Sequence, residues 1–151
     1  MNHDLMRGIK GGQPFYLMEQ TPSVTNWLPY NALKRPGGMG LLIWQAVAHG
    51  GDSVLFFQMR RSIGACEKYH GALMDHAGHE HTRVFREMQA LGAQLAALSD
   101  AALGARTAAK AAIVVDWDNW WALEYSAGPS CDLKYMDELA NYYTALYDNN
   151  I

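Results

Sequence analysis

Two stretches of sequence decide the fold: Phe15-Tyr16-Leu17-Met18 and Ser53-Val54-Leu55-Phe56-Phe57. Their residues are almost all apolar instead of alternating between apolar and polar, which is typical of parallel strands covered on both faces. Between them, Met39 to His49 has apolar residues at helical spacing, and Gly50-Gly51 predicts the end of that helix. A strand, a helix and a second strand in this order predict a βαβ unit of an α/β protein.

Further elements are predicted on both sides of this unit. The first dozen residues predict a polar start and a turn, whereas residues 82 to 98 predict an amphipathic helix because large apolar side chains recur every three or four positions. The alanine-rich residues 99 to 110 predict a linker, Ala111 to Val115 predict a third strand, and Leu133 to Tyr147 predict a last helix. Two strands before the linker are too few to cover the apolar faces of the helices. We therefore expect a piece of a longer α/β protein or a chain that folds only with partners.

Composition and charge exclude several classes of protein. Of the 151 residues, 18% are charged and 50% are hydrophobic, which is unlike a disordered tail. The formal net charge of -3 disfavours a nucleic-acid binder, and no apolar run is long enough to predict a membrane span. The N-terminus has no signal pattern, and the 2 cysteines form no disulfide framework, so a cytoplasmic protein is expected.

Aromatic residues are frequent, with 5 Trp, 8 Tyr and 4 Phe, which favours either a large core or a sugar-binding cleft. A lone Trp is more often a core residue, and this is the better interpretation for Trp44. Trp27 lies in a proline-rich loop, which favours a place in a cleft. Trp117, Trp120 and Trp121 follow the predicted third strand, and a core or interface patch is the favoured interpretation for them.

Glu19 follows the first strand, at the edge of the sheet where the reactive residues of α/β proteins collect. A carboxylate directly after an apolar strand is expected to be half-desolvated, which is how a nucleophile or a general acid is positioned. The alternative is that Glu19 caps a turn or faces solvent, and spacing alone favours this alternative. The loop that begins at Gln58 is predicted to lie at the same edge.

Glu67 and His70 are separated by three positions, so they are predicted to share one side of a turn and to hydrogen-bond a polar ligand. The alternative is a metal cluster that also includes Cys66, His76, His79 and His81. The spacing of these residues matches no standard zinc pattern, and no metal site is predicted.

These residues occur in segments that resemble glycoside hydrolase family 42, the β-galactosidases. Residues 15 to 27, Phe-Tyr-Leu-Met-Glu-Gln-Thr-Pro-Ser-Val-Thr-Asn-Trp, resemble the nucleophile segment of the family. The resemblance runs in order from Pro14 to Ile151. It includes Asn31 to Gly37, Gln45 to Gly50, Phe56 to Gln58, Glu67 to Gly71, and Asp116 to Trp121, the last of which resembles the start of the family's trimerisation domain.

The resemblance implies a partial (β/α)8 TIM barrel followed by the first βα unit of a flavodoxin-like domain. Residues 1–100 would be strands seven and eight of the catalytic barrel with their helices, and residues 101–151 would begin the trimerisation domain. The implied activity is retaining hydrolysis of terminal β-D-galactosides by double displacement. The implied partners are a β-galactoside substrate and two further copies in a homotrimer, without nucleic acid, membrane, metal or cofactor.

The resemblance also implies a role for each candidate residue. Glu19 would be the nucleophile, Trp27 and Phe57 would line the galactose subsite, and Glu67 and His70 would hydrogen-bond sugar hydroxyls. The family's acid/base glutamate belongs to an Asn-Glu pair on strand four, outside these residues, so the isolated chain is predicted to be inactive. Met59 stands where the family usually has Trp, so the floor under the sugar is expected to differ. The alternative function is a non-catalytic oligomerisation or scaffold module that has kept the family sequence.

Overall fold

This computed structural model describes residues 1 to 151, in which helices and strands alternate up to Phe56 and only helices follow. Residues 2–107 and residues 108–151 form separate compact units. In chain order the elements are α1 Asn2–Ile9, β1 Phe15–Gln20, α2 Gly38–Ala48, β2 Gly51–Phe56, a 3-10 helix Cys66–Tyr69, α3 Arg83–Ala97, α4 Ser99–Ala102, α5 Trp117–Tyr125 and α6 Tyr135–Tyr147.

Strands β1 and β2 pair in parallel and form the sheet of residues 2–107. Leu17 lies opposite Val54, and Gln20 lies opposite Phe56. Helix α2 connects the two strands, as a parallel connection requires. The βαβ unit predicted from the two apolar stretches is therefore confirmed.

Helices α2 and α3 supply the core on one side of this sheet. Met39 and Ile43 of α2 and Leu91 of α3 are buried, and Val54 and Phe56 of β2 pack against them together with Trp44. The hydroxyl of Thr82 accepts a hydrogen bond from the Phe85 amide at 3.3 Å and begins α3. The predicted helices at Met39 and Thr82, and the core position of Trp44, are confirmed.

The other side of the sheet is uncovered within these residues. Tyr16 and Met18 of β1 are 63% and 67% exposed, and Leu55 of β2 is also exposed. Side chains alternate between the two faces of a strand, so each strand presents only every second residue to the helices. The expectation that both faces are covered is therefore wrong for the residues of this chain.

Secondary structure differs from the expectations in two places. The predicted turn is confirmed at residues 10–12, but the residues before it form the helix α1, because its Asp4 carboxylate bonds Arg7 and His49, and His3 stacks on Phe15. Ala111 to Val115 form no strand, since residues 108–151 contain no second strand to pair with them. The predicted linker begins with the short helix α4 before it becomes irregular.

Helices α5 and α6 form residues 108–151, and the last predicted helix is confirmed from Tyr135 onward. Asp116 begins α5, because its carboxylate accepts hydrogen bonds from the Asp118 and Asn119 amides at 2.9 and 3.2 Å. Trp117 and Trp121 of α5 are exposed, so the core alternative for this patch is wrong and the interface alternative stays a prediction. No helix of the chain has both the length and the apolar character needed to cross a bilayer.

Candidate active site

The carboxyl ends of β1 and β2 bring Glu19 and Phe57 to the same edge of the sheet. The Phe57 amide donates to the Gln20 carbonyl at 3.2 Å, which continues the strand pairing beyond Phe56. The peptide bond between Phe57 and Gln58 is cis. Glu19 lies inside β1 and is exposed, and its carboxylate makes no hydrogen bond or ion pair within residues 1–151. The expected half-desolvated position directly after the strand is therefore wrong for the residues of this chain.

The loop after β1 and the loop after β2 are tied to each other. The Gly71 amide donates to the Val24 carbonyl at 2.7 Å, and the Asn26 side chain donates to the Cys66 carbonyl at 2.6 Å. A Cβ at position 71 would lie 2.7 Å from the Val24 nitrogen, so only glycine allows this approach. Pro22 and Ser23 at the base of the first loop are buried, which anchors the contact.

Glu67 and His70 lie together, as their spacing predicts, because a 3-10 helix places them on one turn. The His70 amide donates to the Glu67 carbonyl at 3.0 Å, and Glu67 Oε2 accepts from Asn26 Nδ2 at 3.0 Å. The Glu67 side chain is half-buried, and His70 is only 2% exposed. The pair is thus held by the protein before any ligand arrives.

The orientation of the His70 ring follows from its neighbours. Nδ1 lies 2.9 Å from the Gly71 carbonyl oxygen, which can only accept, so Nδ1 carries a proton. The ring meets Phe57 edge to face, with centroids 5.0 Å apart. Nε2 of the neutral ring is therefore the atom that can accept a hydrogen bond from a ligand.

Trp27 is 70% exposed at the end of the Val24–Asn26 segment, so the core alternative for this residue is wrong. The loop around it is fixed by the side-chain amide of Asn31. Its oxygen accepts a hydrogen bond from the Leu28 amide at 3.1 Å, and its Nδ2 donates to the Leu28 carbonyl at 3.0 Å. Trp27 therefore presents an aromatic surface on an ordered loop, next to the residue that contacts Glu67.

The histidines beyond His70 make local contacts. His76 Nε2 lies 2.7 Å from the Ser62 carbonyl, and the rings of His79 and His81 lie 5.4 Å apart. No group of three or more His, Cys, Asp or Glu side chains in residues 1–151 is arranged to hold a metal ion.

A partly exposed ion pair supports the loop after β2. Arg61 donates to Asp75 at 3.0 Å and to the Lys68 and Tyr69 carbonyls. Burial would raise the pKa of Asp75, but hydrogen bonds from the His76 amide and Arg61, together with the charge of Arg61, hold it below its usual value. In the first loop, burial lowers the pKa of Lys34, which donates to the Thr21 carbonyl.

Sequence reasoning missed Asn26, Arg61 and Lys34. Asn26 was visible only as part of the Thr25-Asn26-Trp27 motif, because its partner Glu67 is 41 positions away. Arg61 is one of two adjacent arginines after the second strand. That position predicts that it lies at the edge of the sheet, but it does not predict which residue it pairs with.

Glycoside hydrolases use carboxylates as catalytic groups, and in (β/α) barrels such groups lie at the carboxyl edge of the parallel sheet, where Glu19 lies. The family model for β-galactosidases of glycoside hydrolase family 42 matches residues 1–98, and the model for the β-galactosidase trimerisation domain matches residues 109–151. The chain therefore belongs to the family 42 β-galactosidases.

Individual relatives agree with this assignment. β-Galactosidase BgaA of Planococcus sp. (strain 'SOS Orange') is 62% identical over 151 residues, which are 100% of this chain and 22% of that protein. The crystal structure of β-galactosidase from Bacillus circulans sp. alkalophilus matches with a TM-score of 0.89 and 63% identity, over 95% of this chain and 21% of that one. A structure described as a catalytic mutant of Gan42B, a β-galactosidase from G. stearothermophilus, matches with a TM-score of 0.87 and 42% identity, over 96% of this chain and 21% of that one. The chain thus spans about a fifth of the length of these relatives.

Proposed function

We propose that this chain forms part of a retaining β-galactosidase, with Glu19 as the nucleophile. The observation that carries the proposal is the position of Glu19 at the carboxyl end of β1, one strand away from Phe57. Its carboxylate makes no bond within the chain and is free to meet a substrate. The relatives are named β-galactosidases, and one of them has a variant described as a catalytic mutant.

The chemistry follows from an ionised Glu19. A carboxylate oxygen attacks the anomeric carbon of a terminal β-D-galactoside while the bond from that carbon to the aglycone oxygen breaks. The leaving oxygen takes a proton from a carboxylic acid on another barrel strand, outside residues 1–151. Water, deprotonated by the same group, then attacks the anomeric carbon, which releases galactose and restores Glu19.

The other four candidate residues bind the sugar in this proposal. Trp27 and Phe57 offer apolar surfaces to the galactose ring. His70 Nε2 and the Glu67 oxygen that Asn26 does not hold accept hydrogen bonds from sugar hydroxyls. These bonds strengthen as the ring approaches its oxocarbenium-like transition state.

The exposed side of the sheet supports a place in a barrel. Inward-facing residues of a TIM barrel pack against those of the other strands, and the exposed Tyr16, Met18 and Leu55 suit such positions. In this proposal residues 1–100 contribute strands seven and eight with their helices, and residues 101–151 begin the trimerisation domain. The exposed Trp117 and Trp121 then face another subunit.

The barrel proposal predicts that the isolated 151-residue chain associates, because it leaves one apolar face of the sheet uncovered and both outer strand edges unpaired. Light scattering is expected to give oligomers or aggregates. Changing Met18→Lys on the exposed face is expected to reduce association, whereas Leu41→Lys on the solvent side of α2 is the matched control. A sharp monomer peak for the unchanged chain, with a cooperative melt, would contradict the proposal.

The nucleophile is tested in a complete enzyme, meaning this chain joined to upstream barrel residues, either its own or those of the Planococcus relative. Glu19→Ala is expected to remove nearly all turnover of a nitrophenyl β-galactoside, since no other group can form the covalent intermediate. Azide is expected to occupy the vacated space and give an α-galactosyl azide. Glu67→Ala is the matched control, because it also removes a carboxylate from the site.

Two outcomes decide against this assignment. Azide rescue of Glu67→Ala, and not of Glu19→Ala, would move the nucleophile to Glu67. An unchanged complete enzyme that assembles but turns over no galactoside would favour the scaffold alternative.

A further inference from the structure

Asn26 lies in the loop after β1 and contacts the 3-10 helix that carries Glu67. Its Nδ2 donates to the Cys66 carbonyl at 2.6 Å and to Glu67 Oε2 at 3.0 Å. These two partners lie 40 and 41 positions further along the chain. One side chain therefore joins both loops and reaches a carboxylate of the candidate site.

Little else fixes the Glu67 carboxylate. The bond from Asn26 is the one hydrogen bond or ion pair that this side chain makes within residues 1–151. The helix that carries it begins after Ala65 without a side-chain cap. A carboxylate accepts several hydrogen bonds, so a donor on Oε2 leaves Oε1 available to a ligand.

We propose that Asn26 is a positioning residue, which holds Glu67 in the orientation needed to accept a sugar hydroxyl. The proposal rests on the proposed function, in which Glu67 contacts the substrate. An amide suits this task because it directs an N–H group at the carboxylate and carries no charge of its own. An aspartate there would place a second carboxylate beside Glu67, and the two would share a proton.

Asn31 is a matched control in the same loop. It accepts from the Thr25 hydroxyl at 2.9 Å and bonds the Leu28 backbone in both directions. These partners all belong to the loop itself. Asn31→Asp and Asn31→Ala therefore disturb the loop around Trp27 while the contacts of Glu67 stay in place, so they measure the loss of activity that disturbing this loop causes by itself.

The test measures kcat/KM for a nitrophenyl β-galactoside against pH in the complete enzyme. Asn26→Ala is expected to lower kcat/KM roughly ten- to hundredfold, because a hydrogen bond to a charged group is lost. Asn26→Asp is expected to lose more at neutral pH. The kcat/KM of Asn26→Asp divided by that of the unchanged enzyme is expected to rise as the pH falls. The reason is that the new carboxyl group, once protonated, donates to Glu67 as the amide does.

Dividing by the unchanged enzyme removes the pH dependence of kcat/KM that both enzymes share. Asn31→Asp is expected to lose less at neutral pH than Asn26→Asp, because its new carboxylate would lie beside the Leu28 carbonyl and not beside a second carboxylate. A flat ratio for Asn26→Asp, or equal losses in Asn26→Asp and Asn31→Asp, would overturn the role of Asn26. If Asn26→Asp fails to fold, the comparison of Asn26→Ala with Asn31→Ala decides: a selective loss supports the proposal and equal losses refute it. An unchanged enzyme without turnover refutes the proposed function itself, and this inference with it.

Discussion

The amino end and the carboxyl end of the same two-stranded sheet are built differently. At the amino end, Asp4 bonds Arg7 and His49 at 2.8 Å, and His3 stacks on Phe15 with ring centroids 5.5 Å apart. At the carboxyl end, the Glu19 carboxylate has no bond within the chain. The Asp4 carboxylate is thus paired at one end, whereas the Glu19 carboxylate is left available at the other.

This difference separates stability from function along the strands. In (β/α) folds, residues at the carboxyl ends of strands meet the substrate and residues at the amino ends support the structure. The carboxyl end has buried groups too, such as His70, but these hold other side chains of the candidate site. Changes at the two ends should therefore have different effects on activity for the same loss of stability.

Two glycines, one at each end, test the comparison with the largest expected effects. A Cβ at Gly71 would lie 2.7 Å from the Val24 nitrogen, and a Cβ at Gly51 would lie 2.9 Å from the Ala46 carbonyl oxygen. Each change to Ala is expected to cost about 1–3 kcal/mol of stability, as overpacking does. Gly71→Ala should also lower kcat/KM, because His70 precedes it and moves with it. The measurements are urea unfolding and kcat/KM in the complete enzyme.

Gly92→Ala is the control for both glycines. Gly92 lies within α3, where a Cβ would meet nothing within 4 Å, so alanine should stabilise by up to about 1 kcal/mol. If Gly51→Ala and Gly71→Ala lower kcat/KM equally, the separation between the two ends does not hold.

The sequence predicts the sheet and its covering helices because their signals are local. Apolar runs and helical periodicity are properties of short windows, and they place β1, β2, α2 and α3 within a few residues. Helix α1 was missed because contacts of Asp4 with a residue 45 positions away stabilise it. The strand predicted at Ala111 has suitable residues, but a strand also needs a partner, which a single window does not reveal.

In the candidate site, too, local contacts can be predicted from the sequence and contacts between distant residues cannot. The spacing of Glu67 and His70 predicts that they meet, because they are on one turn. The contact between Phe57 and His70 joins the two ends of one long segment after β2, and the bond from Asn26 to Glu67 joins two different loops. Such contacts depend on how the loops fold back over the sheet, which no local pattern encodes.

Acid should weaken the two ends in different pH ranges. Burial, the neighbouring His49 and the N-terminal amine lower the pKa of His3 below its ordinary 6.5, although Asp4 opposes them. The neutral ring is therefore favoured in the folded state, and its contribution is present above pH 6.5 and lost as the pH falls through the folded value. For Asp75 the ordinary value is 3.8, so its contribution is lost only in stronger acid.

Measuring the melting temperature as a function of pH distinguishes the contribution of His3 from that of Asp75. His3→Phe keeps an aromatic ring on Phe15 and should make the melting temperature less sensitive to pH just below 6.5. Asp75→Asn should change the pH dependence only in the range below 3.8. Identical profiles for the unchanged protein and His3→Phe would show that His3 does not contribute.

The smallest expected effect concerns strain at the carboxyl end. Ala65 has φ 59° and ψ -166°, a region that residues other than glycine rarely adopt. Ala65→Gly should relieve this strain and stabilise the protein by about 1 kcal/mol, since the relief exceeds the greater entropy of the unfolded glycine chain. Ala105→Gly is the control, because Ala105 is exposed, irregular and without a positive φ, and there glycine should destabilise slightly. Urea unfolding of both variants measures the difference.

The effect of Ala65→Gly on activity shows whether the strain has a function. If Ala65→Gly also lowers kcat/KM, the strained backbone helps to hold Glu67, two positions further on, and the carboxyl end is less stable because it maintains the geometry of its site. If it raises stability and leaves kcat/KM unchanged, the strain has no part in positioning Glu67, and Asn26 alone connects that carboxylate to the loop after β1.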